Sequence, residues 1–528
     1  MIQDFAVRGS SKSIEADICL VGAGAAGIAL ARELSRSGLS IALVESGGIN
    51  PGEADQQLNQ GELCDGVRYK GLVDGRARSL GGATKLWYGQ CIRYEPIDFA
   101  VRPWVKHSGW PIGPKDLEPY YKRAEEFFDI TGQSYHDDIY DRFGLPRPVL
   151  DESQCKMHFT IYSTHIDLGA IHQKELEESK AVTMLLHANV TEITTNEAGS
   201  QTTGVRIRSL DGNEATIQAR AVVLCAGGIE NARLLLLSNQ VKPAGLGNDR
   251  DLVGRFLQDH PNGQTATLKT TKPEVVGELF SLLYESQLRF FPKMELSPAL
   301  QASEKVSNCN GHFVFEYPEA SGIASGKNLY RSLRRGERPP DFLKSLGHIL
   351  GDLPETLRAA KRFFVQGKSP LGSPSRIRFQ CYLEQEPDPE SRVELAETRD
   401  ALGLRQARVC WKINEMELRT LNVMTAAVGA QVAKLELGEL VPDAWLTAPG
   451  SDWKNNLGDA YHPIGTTRMS SSAATGVVNP NCEVFGVSGL YVAGSSVFPT
   501  SGYGNPTLLI VALAFRLADH LASSVRRD

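Results

Sequence analysis

The residues with the clearest chemistry stand near the start of the chain. Ile18-Cys19-Leu20-Val21 runs into Gly22-Ala23-Gly24-Ala25-Ala26-Gly27. An alanine- and leucine-rich stretch follows to about Ser37, and Ile41–Val44 then ends at Glu45, 21 residues beyond Gly24. Strand, glycine turn and helix in that order form a dinucleotide-binding fingerprint. Gly22 permits the tight turn, Gly24 lets the backbone approach a pyrophosphate at the helix N-terminus, and Gly27 lets the helix pack close to the strand. Glu45 can accept hydrogen bonds from an adenosine ribose, and its charge argues against a 2′-phosphate and so against NADP. The alternative is a glycine-rich strand–helix turn with no ligand. After Arg78, the run Ser79-Leu80-Gly81-Gly82-Ala83-Thr84-Lys85-Leu86-Trp87 is either backbone passing close to a flat ligand or an ordinary glycine-rich loop. Near the C-terminus come Tyr461-His462-Pro463, then Gly494-Ser495, then Gly504-Asn505-Pro506-Thr507. Glycine and proline are dense before the final helix, so its N-terminus could be open to a ligand.

Positioning these residues calls for a doubly wound sheet. Ala221–Leu224 reads as an apolar strand ending in Cys225-Ala226-Gly227-Gly228-Ile229-Glu230-Asn231, and a leucine-rich helix, Ala232–Ser238, follows. That is how such a sheet returns to its nucleotide. Val182–Leu186 and Val190–Thr194 are predicted strands, and Gly204–Ser209 with Ala215–Gln218 a hairpin. From 265 to about 455 the texture changes. Arg289–Phe291, His312–Phe315 and Arg376–Leu383 alternate in a way that predicts an antiparallel sheet. Between them, 327–368 is helix-like and basic, with ten Lys/Arg against four Asp/Glu. It reads as a solvated helical insertion, with a lid, partner or membrane-surface role as the alternative. Leu117–Phe128 and Glu415–Leu435 are predicted helices, the second with Asn414 as N-cap and Gly438 as its stop. Leu490–Ala493 is a predicted strand and Leu508–Leu521 a long apolar helix.

A chain of 528 residues with net charge −6 is enzyme-sized, is expected to form two lobes, and has no nucleic-acid footprint. No run reaches the roughly 18 continuous apolar residues that span a bilayer. Met1–Asp17 lacks an apolar segment and a twin-arginine motif. The nine cysteines are scattered without a CxxC pair, which points to buried thiols in a reducing compartment rather than a disulfide framework. These features predict a cytoplasmic protein.

Taken together the motifs resemble the glucose–methanol–choline (GMC) oxidoreductase family. The matching pieces are the Gly22–Gly27 fingerprint with Glu45-Ser46-Gly47, the Gly81-Gly82 loop, Cys225–Asn231, Pro387–Val393, His462–Met469, Gly494–Pro499 and Asn505-Pro506-Thr507. The combination HPxGTxRM with a late GNPT is most similar to the pyranose 2-oxidase branch, whose bacterial relatives include C-glycoside 3-oxidases. The resemblance implies an α/β plus α+β fold. A Rossmann-type FAD lobe, of the p-hydroxybenzoate hydroxylase-like kind, is built from discontinuous segments, and an antiparallel sheet covers the isoalloxazine. Residues 1–100, 180–264 and 456–528 would form the FAD-binding domain, 101–179 connecting and lid segments, and 265–455 the substrate domain. The implied cofactor contacts are Gly22, Ala23, Gly24, Ala26, Gly27, Glu45, Ser46, Arg78, Gly81, Gly82, Ala83, Thr84, Leu86, Trp87, Val190, Ala226, Gly227, Asn231, Gly494, Ser495, Asn505, Pro506 and Thr507. Some relatives attach FAD through a histidine just before the tryptophan of the GG loop; Leu86 stands there, so FAD is expected to be non-covalent.

The resemblance also implies that His462 is the catalytic histidine and Asn505 its partner. Oxidising a secondary alcohol of a sugar or glycoside needs loss of the hydroxyl proton and transfer of the carbinol hydride to flavin N5. A histidine with ordinary pKa of about 6.5 suits the first task, its rate rising with pH as it becomes neutral. Asn505 can hydrogen-bond the hydroxyl and the developing alkoxide. His260, in an Asp-His-Pro turn, reads as structural. No metal site is expected. Oxygen, a quinone or a protein carrier would reoxidise the flavin, and a homo-oligomer is open. The alternatives are a dehydrogenase of non-sugar alcohols, a lyase with structural FAD, and a non-catalytic flavoprotein.

Overall fold

The computed structural model describes residues 1–525 apart from 9–12, 319–320, 335–337, 340, 449 and 451. Three sheets organise the chain. In the first, Ile2–Asp4, Val182–Leu186, Ile41–Val44, Ile14–Val21 and Glu214–Leu224 lie side by side in that order, all parallel. Strands buried on both faces of a parallel sheet read as unbroken apolar runs, which is why ICLV, IALV and VVL were legible. One expectation is corrected. Ala215–Gln218 and Ala221–Leu224 are not separate strands but parts of one, Glu214–Leu224. One edge of it is lined by Ile14–Val21. The other edge is shared between Thr202–Arg208, antiparallel, and Leu490–Val492, parallel. That sharing carries the C-terminal segment to the fingerprint: Cys225 N–H donates to Val21 O at 2.7 Å and Ala493 N–H to Leu224 O at 2.8 Å.

The second sheet runs Gln90–Cys91, Cys155–Tyr162, Leu288–Leu296, Cys309–Glu316, Arg376–Leu383, Asn262–Lys269 and Glu439–Pro442, antiparallel throughout. Two of these strands fall outside the expected substrate segment. Cys155–Tyr162 lies within the 101–179 stretch read as connecting and lid, and Gln90–Cys91 within 1–100. The third sheet pairs Arg392–Arg399 and Arg405–Cys410 with Gly61–Leu63, so part of 265–455 belongs with the segment after Glu45. Cys64 and Cys410, Cα atoms 4.8 Å apart, are joined by a disulfide here. The other seven cysteines are buried thiols, so the all-thiol expectation holds for those alone.

Successive side chains of a strand point to opposite faces, and in the second sheet both faces are buried. Phe159, Phe290, Met294, Phe313 and Phe379 form the apolar face, packed against the helix Glu415–Lys434. That helix starts at a capping box between Asn414 and Glu417. It ends before Gly438, with Glu436 taking the left-handed conformation at φ 53°. The opposite face carries His158, Thr160, Lys293 and Asn310, all buried. Polar side chains withdrawn from water need partners, and this face is covered in part by the segment before the final helix: the His158 ring stacks on Tyr503, centres 5.1 Å apart, and the Asn310 amide donates to Tyr503 O at 3.3 Å.

The basic insertion is three helices, Gly322–Arg334, Phe342–Gly351 and Leu353–Gln366; its residues 335–337 and 340 lie outside the described ones. No residue of the second helix is buried, and only Ala359 of the third is. Leu343, Leu350, Leu357 and Phe364 are exposed. The final helix, Thr507–Ser524, is long and apolar enough by length and composition to cross a membrane. It packs against the helices Ala25–Leu34 and Pro114–Phe127 as a core element. Local opening tracks buried apolar contact. Amides of Phe342–Gly351 are therefore expected to exchange with deuterium orders of magnitude faster than those of Glu415–Lys434, and equal protection in the two helices would contradict this packing.

Candidate active site

The glycine turn closes on three segments. Gly22 sits at φ 106°, and a Cβ there would lie 2.8 Å from Cys225 O; a Cβ on Gly27 would overlap Gly22 O at 1.9 Å. A Cβ on Gly24, by contrast, would meet no atom within 4 Å, so its backbone is open to a ligand. Gly81 N–H donates to Ala23 O at 2.8 Å, which brings the second glycine loop onto the first. Val21, Gly22, Ser46, Arg78, Val190 and Ala226 line one cleft. Glu45 is buried beneath it. Its carboxylate accepts the Ala23 N–H at 2.8 Å and the Gly47 N–H at 3.1 Å, so it also holds the turn to the strand end. Burial raises its pKa, against the pull of those donors.

Several expected contacts have side chains already engaged. Asn231 accepts the Ala226 N–H at 2.8 Å and donates to Ala493 O at 3.1 Å and Ser496 Oγ at 2.9 Å. It therefore clamps two turns together. Thr84 Oγ1 donates to Gly81 O at 2.6 Å, Trp87 Nε1 to Ile166 O at 2.6 Å, and Ser495 Oγ to Pro463 O at 2.7 Å. Ala26 is buried inside its helix, whereas Ala83 is exposed. Leu86 is 50% exposed. Gly227 and Gly494, at φ 85° and 106°, would carry a Cβ into open space. Pro506 and Thr507 open the final helix.

His462 is held by a buried acid that the sequence reading passed over. Asp259, fully buried, accepts the N–H groups of Ala460 and His462, each at 2.9 Å, the His260 N–H at 2.7 Å and the Tyr69 hydroxyl at 2.8 Å. Two of these amides flank Tyr461, which is thereby fixed at φ 62°, a region that non-glycine residues seldom occupy. The Asp259 N–H donates to Gln385 Oε1 at 2.8 Å, which also accepts Trp411 Nε1–H at 2.9 Å.

The two imidazoles meet edge to edge, His260 Nδ1 to His462 Nδ1 at 2.9 Å, with His260 Nε2 3.2 Å from Ser501 O. The partners dictate the tautomers. A carbonyl only accepts, so His260 carries its proton on Nε2 and offers the Nδ1 lone pair. His462 must then donate from Nδ1, which leaves its Nε2 lone pair free as a base. Burial lowers both rings to about 4; the next cause is the facing imidazole for His260 and the Lys293 charge for His462. Both rings are thus neutral at pH 7. Asp259, His260 and His462 place ligand-type atoms within 4.8 Å of one another. With the carboxylate taking four protein donors, the trio is a hydrogen-bonded network.

Ser501 stands four residues before Asn505, so its bond to His260 ties the GNPT segment to the histidine pair. Asn505 is half-buried, and none of the hydrogen bonds found among the described residues uses its side chain, leaving the amide available to a ligand. His260 and Asp259 were readable in sequence only as an Asp-His-Pro turn.

Comparison with known proteins agrees with this assembly. A family model described as FAD dependent oxidoreductase matches residues 17–244, and one described as GMC oxidoreductase matches 387–514. A 2-methyl-1,2-propanediol dehydrogenase from Mycolicibacterium austroafricanum is 23% identical over 96% of this chain and 95% of its own length. A C-glycoside 3-oxidase from Microbacterium trichothecenolyticum is 45% identical over 130 residues, 24% of each protein. Formate oxidase has the same fold, with a TM-score of 0.57 at 17% identity over 97% of this chain and 99% of that one. The chain belongs to the GMC oxidoreductase family. It is an FAD-dependent oxidoreductase, and the open Gly24 backbone with the cleft beside it fits the dinucleotide.

The network around Asp259 can be tested by stability. Tyr69→Phe removes one donor and is expected to cost about 1 kcal/mol. Asp259→Leu strands three buried N–H groups and is expected to cost more than about 3 kcal/mol. Urea unfolding of both variants checks the order; similar midpoints would contradict Asp259 as the hub.

Proposed function

We propose that the protein oxidises a secondary alcohol of a sugar or glycoside to a ketone, with His462 as general base and Asn505 as hydroxyl ligand. The observation behind this reading is the 2.9 Å His260–His462 bond, which directs the His462 lone pair outward from Nε2. Bound FAD supplies the hydride acceptor. His462 Nε2 takes the hydroxyl proton. His260 receives the His462 Nδ1–H throughout, so the ring cannot rotate or change tautomer as it gains charge. Asn505 donates to the alkoxide oxygen as its charge grows. Asp259 holds the backbone on either side of Tyr461, and so fixes where His462 stands. A sugar or glycoside substrate is supported by the partial match to a C-glycoside 3-oxidase and by the polar face of the second sheet, whose side chains can hydrogen-bond hydroxyl groups. The full-length resemblance to a diol dehydrogenase favours, as a second reading, a non-sugar alcohol with a quinone or protein acceptor.

Stopped-flow flavin reduction at saturating substrate isolates the chemical step. His462→Ala is expected to slow it about 10²–10⁴-fold with FAD still bound. Because His462 is held down at about 4, the wild-type rate is expected to rise on the acid side and stay level through neutrality, not to climb near 6.5 as an unperturbed histidine would. Bleaching of the His462→Ala flavin at the wild-type rate would remove this histidine from the mechanism. An anaerobic screen of glycosides against aliphatic alcohols separates the two substrate readings, and failure of every alcohol to bleach the flavin would leave the lyase alternative.

The FAD is proposed to be non-covalent, since Leu86 has no nucleophile to offer. Acid precipitation is expected to release all the flavin into the supernatant; flavin retained on the pellet would refute this.

A further inference from the structure

One charged side chain on the polar face of the second sheet has no counter-charge among the described residues. Lys293 lies on the polar face of the second sheet, opposite His158 on one neighbouring strand. The register of Met294 with Gly311 sets it opposite His312 on the other. It is only 5% exposed. Its ammonium donates to a single neutral acceptor, Gln90 Oε1, at 3.3 Å, and stands 5.5 Å from the Tyr382 ring centre and 5.7 Å from that of Phe291. No carboxylate among the described residues is within ion-pair distance of it. Glu295, two residues along the same face, is engaged by the Tyr503 hydroxyl and by His158, 3.3 Å away. Burying an ammonium without a partner is costly, and such groups are paired or functional.

The surroundings suit an incoming anion. Gln90 Oε1 is taken by Lys293 and by the Thr160 hydroxyl at 3.4 Å, so the Gln90 amide N–H groups remain to donate. His312 packs on Phe291 and Tyr382, with its buried Nδ1 unpartnered. Tyr503, two residues before Asn505, stacks on His158 with ring centres 5.1 Å apart, and its carbonyl accepts from the Asn310 amide at 3.3 Å, which brings this face of the sheet against the segment that carries Asn505.

We propose that Lys293 is a specificity-determining residue that binds a carboxylate carried by the alcohol substrate, with Gln90 as second donor. The inference rests on the reading of His462 as the base at this site. A single compact cation matches one negative charge, which favours a carboxylate over a phosphate dianion. Neutralising Lys293 also lifts its field from His462, so a substrate bearing the anion raises the basicity of the histidine that deprotonates it.

The test uses the FAD-loaded enzyme and two probes, methyl glucoside and methyl glucosiduronate. Binding is read from perturbation of the flavin absorbance, and reduction from anaerobic stopped flow. The wild type is expected to bind the uronate about 10- to 100-fold more tightly, the contribution of a charge-assisted hydrogen bond. Lys293→Met is expected to abolish that ratio and Lys293→Arg to retain most of it. Equal wild-type affinity for the two probes, or a ratio unchanged in Lys293→Met, would overturn the assignment. Reduction by both probes alike would leave the alcohol-oxidase reading standing without it. Tight uronate binding with no reduction by either probe would instead uphold the subsite and count against the chemistry.

Discussion

The candidate site depends on one buried carboxylate. Asp259 has no access to water, and among the described residues no cation pairs with it. It is balanced by four donors from three separated parts of the chain. A buried anion is tolerable only when its lone pairs are filled, so these segments cannot drift apart without a large penalty. The consequence is geometric. The turn holding His462 is locked in a backbone conformation that Tyr461 would not adopt alone, and the segment holding His260 is locked to it. The ring–ring hydrogen bond follows, and with it the tautomer that leaves Nε2 of His462 free.

Around that point the protein combines two kinds of burial. The parallel sheet withdraws apolar strands on both faces and leaves its glycine turns, where backbone replaces side chain, to meet the cofactor. The antiparallel sheet withdraws one apolar face against the Glu415–Lys434 helix and buries a polar face on its other side. Polar side chains there are held dry by the enclosing structure. Burial away from water strengthens every charge there. That is why the Lys293 charge is felt at His462, and why both imidazoles are neutral where exposed ones would be partly protonated.

Polar groups stitch the segments together at the site. Asn231 joins the turn after Leu224 to the turn after Val492, Glu45 joins the glycine turn to the end of Ile41–Val44, and Ser501 O receives His260. Glu45 and Asn231 sit in recognisable motifs, but the bonds that join them to distant stretches carry no local signature. The basic insertion is the opposite case: its second and third helices bury almost nothing, and their amphipathic pattern alone makes them recognisable.

What the sequence determined by itself was whatever depends on short spacing. The strand–turn–helix fingerprint needs only Gly22, Gly24 and Gly27 in register. Parallel strands reveal themselves as apolar runs, and the substrate sheet by alternation along Arg376–Leu383. Family motifs then pointed to His462 and Asn505. Tertiary structure alone decided the pairing of His260 with His462 across 202 residues, the role of Asp259, and the shared edge of Glu214–Leu224. It also decided that Cys155–Tyr162 joins the second sheet and that Cys64 meets Cys410. The physical reason is common to all of these. Alternation shows that one face of a strand is polar, but not whether another part of the chain covers it. A histidine's pKa and tautomer likewise belong to its neighbours, which only the folded chain brings within hydrogen-bonding distance.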